Sequence, residues 1–211
     1  MTTRRNKKKV KKNKTLKKNK IYTKDDFNSG DGMLTSVWGP SLWHSLHTIS
    51  FNYPVKPTKL DKKYYKKFII LLKYVLPCKY CRMNFKKNLK SLPLTNKVLK
   101  NRYNFSKWMY DMHEHINKML GKKSGLSYEQ VRERYEHFRS RCTIDPTKLE
   151  KNKNSKTRKM KKTRKNKTKK EKGCVEPLYG KKSKCIIKIV PKSKKVPTFQ
   201  MDKLCKKKRN I

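Results

Sequence analysis

Between Leu34 and Cys142 the apolar residues recur every three or four positions. That is the spacing of helices that bury one face. A first helix is expected to open at Trp38-Gly39-Pro40-Ser41, with Pro40 at the first helical position, where its missing N–H costs nothing. Leu42, Leu46, Ile49 and Tyr53 follow on one face, and Pro54 closes the helix because the residue before a proline avoids helical geometry. A second helix runs from about Asp61, read as its N-cap, to Leu76, with Tyr64, Phe68, Leu71, Leu72 and Val75 as its apolar stripe. Pro77 ends it and opens a third, in which Cys81, Phe85 and Leu89 point inward while Lys79 and Lys86 face water. A fourth spans roughly Asn104 to Leu120, with Phe105, Trp108, Met109, Met112, Ile116 and Leu120 on one side and Gly121 as a stop. A fifth, shorter helix is capped by Ser127 and presents Tyr128, Val131, Tyr135 and Phe138. No segment of this core alternates with period two, so the pattern predicts an all-α bundle with short loops.

Outside the core the pattern vanishes. Residues 1–33 form a basic arm with almost nothing to bury, expected to be disordered. Residues 143–211 form a Lys/Arg-rich flexible tail with a low-complexity stretch, a short β-prone run from Gly173 to Val190, and three cysteines. The chain carries 61 Lys+Arg against 14 Asp+Glu, a formal net charge of +47. From 34 to 142 there are 23 basic and 6 acidic residues, a net of +17; the other +30 lies in the two ends. Such ends attract polyanions in a salt-sensitive, sequence-independent way. Weak contact with nucleic acid or an anionic surface is therefore expected, without a folded reader of sequence. The longest apolar run, Phe68 to Leu72, is far short of the roughly 20 residues of a bilayer span. No transmembrane segment or export signal is expected, and catalytic or metal-binding cysteines then become more plausible than a structural disulfide framework.

The chemistry centres on Pro77-Cys78-Lys79-Tyr80-Cys81. Two cysteines three apart at a helix N-terminus lie one turn from each other, and the helix end favours a thiolate there. The spacing suits a redox dithiol or half of a zinc site. A zinc site needs two further ligands, and His113 and His115 lie roughly 200° apart around a helix, so they cannot chelate together. The redox reading is preferred and no metal is expected. A second grouping is Trp43 with His47 on the first helix and His113 with Asn117 on the fourth. Each pair is four residues apart beside an apolar stripe, so a planar ring ligand is expected between the two faces. A basic nucleic-acid-associated protein with a small helical or zinc-stabilised core is the competing class.

Three ordered blocks carry a family resemblance: Trp38-Gly39-Pro40-Ser41-Leu42-Trp43-His44-Ser45-Leu46-His47, then Pro77-Cys78-Lys79-Tyr80-Cys81, then His113 to Lys122. Together they resemble the Erv/ALR sulfhydryl oxidases, and most of all the short forms of large cytoplasmic DNA viruses. The resemblance implies a four-helix FAD-binding bundle plus a short fifth helix over 34–142, and an FAD-linked thiol oxidase. Such an enzyme forms disulfides in protein substrates, passing electrons from the CxxC to flavin and then to O2, giving hydrogen peroxide. It implies that Cys78 exchanges with the incoming dithiol and that Cys81 adjoins the flavin. Gly39, Ser41, Trp43, His47, His113, Asn117, Lys118, Lys122 and Tyr135 become FAD-binding positions, with His113 and Asn117 on the adenine side and both lysines near the phosphates. Cys174 and Cys185 become a candidate shuttle disulfide. The family's further C-terminal disulfide is expected to be absent, since Cys142 matches one half and Tyr128 falls near the other. The implied partners are a dithiol protein, such as a thioredoxin-like carrier, O2, and a second copy of the chain in a homodimer. The implied location is the host cytoplasm at a viral assembly site, and the virion.

Overall fold

The computed structural model describes residues 22–30, 32–141, 173–197 and 200–206. The chain divides into two units, Met1–Gly32 and Met33–Ile211. In the first, Thr23-x-x-Asp26 forms a capping box that starts a one-turn helix, α1 (Lys24–Asn28), within the arm expected to lack structure.

The second unit is built on α2 (Thr35–Phe51), α3 (Lys59–Val75), α4 (Lys79–Ser91), α5 (Arg102–Met119) and the short α6 (Tyr128–Glu136). Helices thus build this unit, as the periodicity predicts. The longest interfaces are α2 against α5 and α3 against α4. Tyr53, Ile69, Leu99, Phe105, Met109 and Met112 are sealed at the centre, and the Tyr53 hydroxyl donates to the Leu99 carbonyl at 3.0 Å. Two guanidinium groups secure the exit from α2. Arg102 Nε donates to the Tyr53 carbonyl and Arg139 Nη2 to the Phe51 carbonyl, both at 2.6 Å. They satisfy carbonyls that a helix end leaves without intrahelical partners.

Three expectations need correcting. α2 begins at Thr35, so Pro40 lies inside the helix rather than at its first position; the cost is a single missing N–H donor early in the helix. Asp61 is not the N-cap of α3. Thr58 caps, and Asp61 sits three residues on, closing a capping box. The apolar stripe of α3 is also largely reversed. Ile69 and Leu72 face the core, whereas Tyr64, Phe68, Leu71 and Val75 are exposed.

Among the described residues the only sheet is a two-residue antiparallel ladder, β1 (Ser140–Arg141) with β2 (Glu176–Pro177). Of the β-prone run from Gly173 to Val190 only Glu176–Pro177 is a strand. The Leu178 amide continues the contact by donating to the Arg139 carbonyl at 2.7 Å. Residues 173–206 therefore belong to the same unit as the helices, with part of the tail pinned to the chain just beyond α6.

Candidate redox and flavin site

The α3–α4 junction sets up the redox pair. Leu76 is buried and anchors the turn, and Arg82 Nη1 reaches back from α4 to the Leu76 carbonyl at 2.6 Å. Cys78 is the N-cap of α4, and its Sγ accepts the Cys81 amide N–H at 3.2 Å. Cys78 and Cys81 form a disulfide with Cα atoms 5.2 Å apart. Only Cys81 of the two packs against the central core cluster. A thiolate released at Cys78 therefore meets a backbone donor and the positive end of a helix dipole, an effect of about 0.3–1 kcal/mol or more where partly buried.

The start of α2 lies against this pair. The Met33 amide donates to the Pro77 carbonyl at 2.8 Å, Trp38 Nε1 donates to the Met33 carbonyl at 2.9 Å, and Thr35 Oγ1 sits 4.0 Å from Cys81 Sγ. Three turns further on, the same helix carries the second grouping. Trp43 stacks on His113 with ring centroids 3.9 Å apart and planes 7° from parallel. His47 Nε2 and His113 Nδ1 share a hydrogen bond at 3.0 Å. Tyr135 closes the cluster, stacked on Phe51 at 5.2 Å and tilted against His47 at 5.3 Å. The Trp43 and His113 rings are in direct contact with each other.

Burial governs the electrostatics here. Desolvation, then the neighbouring His113, pushes His47 down to about 3. Desolvation also carries His113 down to about 4, with the Lys122 ammonium adding to the effect. Both imidazoles are neutral at neutral pH. The Tyr135 hydroxyl is driven well above its ordinary range by burial. Among the described residues, His47 Nδ1 and Asn88 Nδ2 are buried polar atoms without a hydrogen-bond partner. Asn88 lies seven residues beyond Cys81, on the same side of α4. An unpaired buried polar group costs about 1–3 kcal/mol, so each atom would gain from a partner supplied by a ligand or a water.

Thr35 and Trp43 are eight residues apart on α2, about 12 Å of helix axis, and His47 lies a further turn on. A ligand meeting both Cys81 and the Trp43/His113 stack is therefore elongated. Aromatic faces would hold its far end, and the cations available to a charged middle are Lys118, exposed, and Lys122, close enough to act on His113. A flavin joined through a diphosphate to adenine fits this set.

The remaining positions divide. Gly39 is buried, yet a methyl group there would meet only Thr35 Cγ2 at an ordinary 3.7 Å. Ser41 is half-buried and its carbonyl accepts the Ser45 hydroxyl. Asn117 Nδ2 donates to Glu114 Oε1 at 3.0 Å. Cys174 is disulfide-bonded while Cys185 is a free thiol, so these two are not bonded to each other. Cys142 lies outside the described residues. Tyr128 is buried, with its hydroxyl 2.8 Å from Ser106 Oγ. Among the described residues no group of three or more His, Cys, Asp or Glu could hold a metal ion. Sequence reasoning missed Thr35 beside Cys81, Phe51 and His44 in the aromatic cluster, and Asn88. Phe51 continues the His47 face by four, and Asn88 continues the Cys81 face by seven, so both were legible in the spacing.

Comparison with known proteins decides the family. The Erv1/Alr family model matches residues 40–136. A probable FAD-linked sulfhydryl oxidase of Acanthamoeba polyphaga mimivirus is 40% identical over 104 residues, covering 49% of this chain and 72% of the relative. The chain belongs to the Erv1/Alr family. An FAD-linked sulfhydryl oxidase of African swine fever virus (isolate Pig/Kenya/KEN-50/1950) is 31% identical, over 47% of this chain and 80% of the relative. The FAD-linked sulfhydryl oxidase ERV1 of Arabidopsis thaliana is 36% identical over 40% of this chain, which spans only 42% of the plant protein's length. The stretch of this Erv1/Alr chain that matches the family runs from Pro40 to Glu136, and so contains both the disulfide and the aromatic–imidazole cluster.

Proposed function

We infer that the protein is an FAD-linked sulfhydryl oxidase that forms disulfides in dithiol substrates. The observation that carries this is the Cys78–Cys81 disulfide at the N-terminus of α4, set beside the helix that also bears the Trp43–His47–His113 cluster. A substrate thiolate attacks Cys78 Sγ, forming a mixed disulfide and breaking the Cys78–Cys81 bond, and the electron pair of that bond goes to Cys81. The second substrate thiolate attacks the substrate sulfur of the mixed disulfide, releasing oxidised substrate and a Cys78 thiolate held by the Cys81 N–H. Access and thiolate character set the rate of both exchanges. When bound, FAD accepts the two electrons from the dithiol and passes them to O2, giving hydrogen peroxide. Cys81, packed against the core, lies on the flavin side. Trp43, His113 and Asn117 would hold the adenine end, and Lys118 and Lys122 the diphosphate. Neutral His47 keeps an unpaired Nδ1 for the cofactor.

The exposed α3 face of Tyr64, Phe68, Leu71 and Val75 supports a homodimer, since full burial of each such side chain is worth about 1.5–3 kcal/mol. The location that goes with this reading is the host cytoplasm at a viral assembly site, and the virion. The basic ends support weak polyanion contact.

The experiment is direct. The purified protein is yellow, and anaerobic dithiothreitol bleaches the flavin absorbance. Cys81→Ser retains FAD and loses turnover by at least a hundredfold. A colourless protein holding stoichiometric zinc overturns the reading.

A further inference from the structure

The surface around the disulfide has a composition that electron transfer to a flavin does not require. The Met33–Thr35 segment runs along the CxxC turn, held at one end by the Met33 N–H to Pro77 carbonyl bond and at the other by Thr35 Oγ1 beside Cys81 Sγ. Its Met33 and Leu34 side chains are 68% and 69% exposed. On α4, Tyr80 between the two cysteines is 76% exposed, and Met83, one turn on, is 50% exposed. Four large apolar side chains thus flank the exchange site while half or more of each is open to solvent.

The charge around them is predominantly positive. From Met33 to Tyr110 there are 16 basic residues and one acidic residue, Asp61, and Asp25, Asp26 and Asp31 precede Met33. Arg82 is committed to the Leu76 carbonyl, but Lys79, Lys86 and Lys87 on α4 are exposed. The chain's own tail is a poor occupant by charge. Cys185 follows Lys184, and Cys205 is followed by Lys206, Lys207 and Lys208.

We propose that Met33, Leu34, Tyr80 and Met83, set in this basic field, form a docking surface for an acidic segment of an incompletely folded substrate protein. That segment carries apolar side chains beside its cysteines. Apolar groups next to a dithiol are available only before the substrate buries them. Carboxylates on the same segment match the lysines and speed the encounter. The proposal rests on the oxidase reading: the docked dithiol becomes a disulfide as Cys78–Cys81 is reduced.

The test measures O2 uptake by the flavin-loaded full chain with three reductants. Two are dithiol peptides of one length, with Leu and Phe beside the cysteines and either Glu or Lys further out. The third is dithiothreitol. At low salt, kcat/KM for the Glu peptide exceeds that for the Lys peptide about tenfold, and 0.5 M NaCl removes most of the difference. Lys79→Glu with Lys86→Glu inverts the charge preference. Leu34→Ser with Met83→Ser lowers the ratio of Glu-peptide to dithiothreitol kcat/KM about fivefold or more, chiefly through KM. Equal use of the two peptides by the unaltered protein overturns the proposal, as does an unchanged preference in the charge-reversed variant. So does loss of peptide oxidation in Cys185→Ser with dithiothreitol oxidation retained, which would make the tail the occupant. Failure to oxidise dithiothreitol at all would instead overturn the oxidase reading.

Discussion

The two histidines of the cluster are the residues on which solution conditions act most directly. Each has an ordinary value of 6.5, lowered to about 3 for His47 and about 4 for His113. The unfolded chain therefore binds more protons than the folded one between pH 6.5 and about 4, and stability falls as pH falls through that window. Each histidine contributes a slope of up to about 1.4 kcal/mol per pH unit there. Denaturant midpoints measured from pH 7 to 5 decline accordingly, and His47→Gln removes a large part of the slope. The same slope in His47→Gln as in the parent would show that the pair does not titrate on unfolding. His47, His113 and Trp43 were legible in the sequence because fours on neighbouring faces bring side chains together. The direct contact of Trp43 with His113 was not, because spacing along a helix carries no information about how closely two helices approach.

Among the elements, α3 shows most clearly where the reading of periodicity stopped. Tyr64, Phe68, Leu71 and Val75 recur at helical spacing, and so do Tyr65, Ile69, Leu72 and Leu76. A helix apolar on two faces gives a clear period and no clear orientation. Only the fit of Ile69 and Leu72 into the core decides it. The outer face yields an expectation at this scale: Phe68→Glu leaves the fold intact and converts a dimer to a monomer in sedimentation equilibrium. An unchanged mass would remove α3 as the interface. The start of α3 depends on its capping box, in which Thr58 Oγ1 accepts the Asp61 amide and Asp61 accepts the Thr58 amide. Thr58→Ala costs about 1 kcal/mol in unfolding free energy; a change within 0.3 kcal/mol would show that the cap contributes little. The box was half legible, since Asp61 was recognised as a start signal but placed three residues out of role.

For the whole molecule, the five helices and the redox pair could be read from the sequence, but the tail's attachment could not. A two-residue ladder has no periodicity to detect, and Leu178 meets Arg139 through backbone atoms that no side-chain pattern reports. The charge of +47 also acts at this scale, because affinity held by many exposed cations falls steeply with salt. Binding to a random DNA duplex weakens at least tenfold between 50 and 200 mM salt, checked by fluorescence anisotropy. Salt-independent affinity would point to a sequence reader instead. One constraint follows from α2 touching Cys81 at its start and His113 three turns later. The helix works as a strut of fixed length and phase. One inserted residue between Thr35 and His47 would advance the far end by about 1.5 Å and turn it by about 100°, carrying Trp43 and His47 away from His113 while Thr35 stays at the sulfur. Insertions in the loops and the ends would leave both contacts in place, whereas one inside this span of α2 would break the contact at one end.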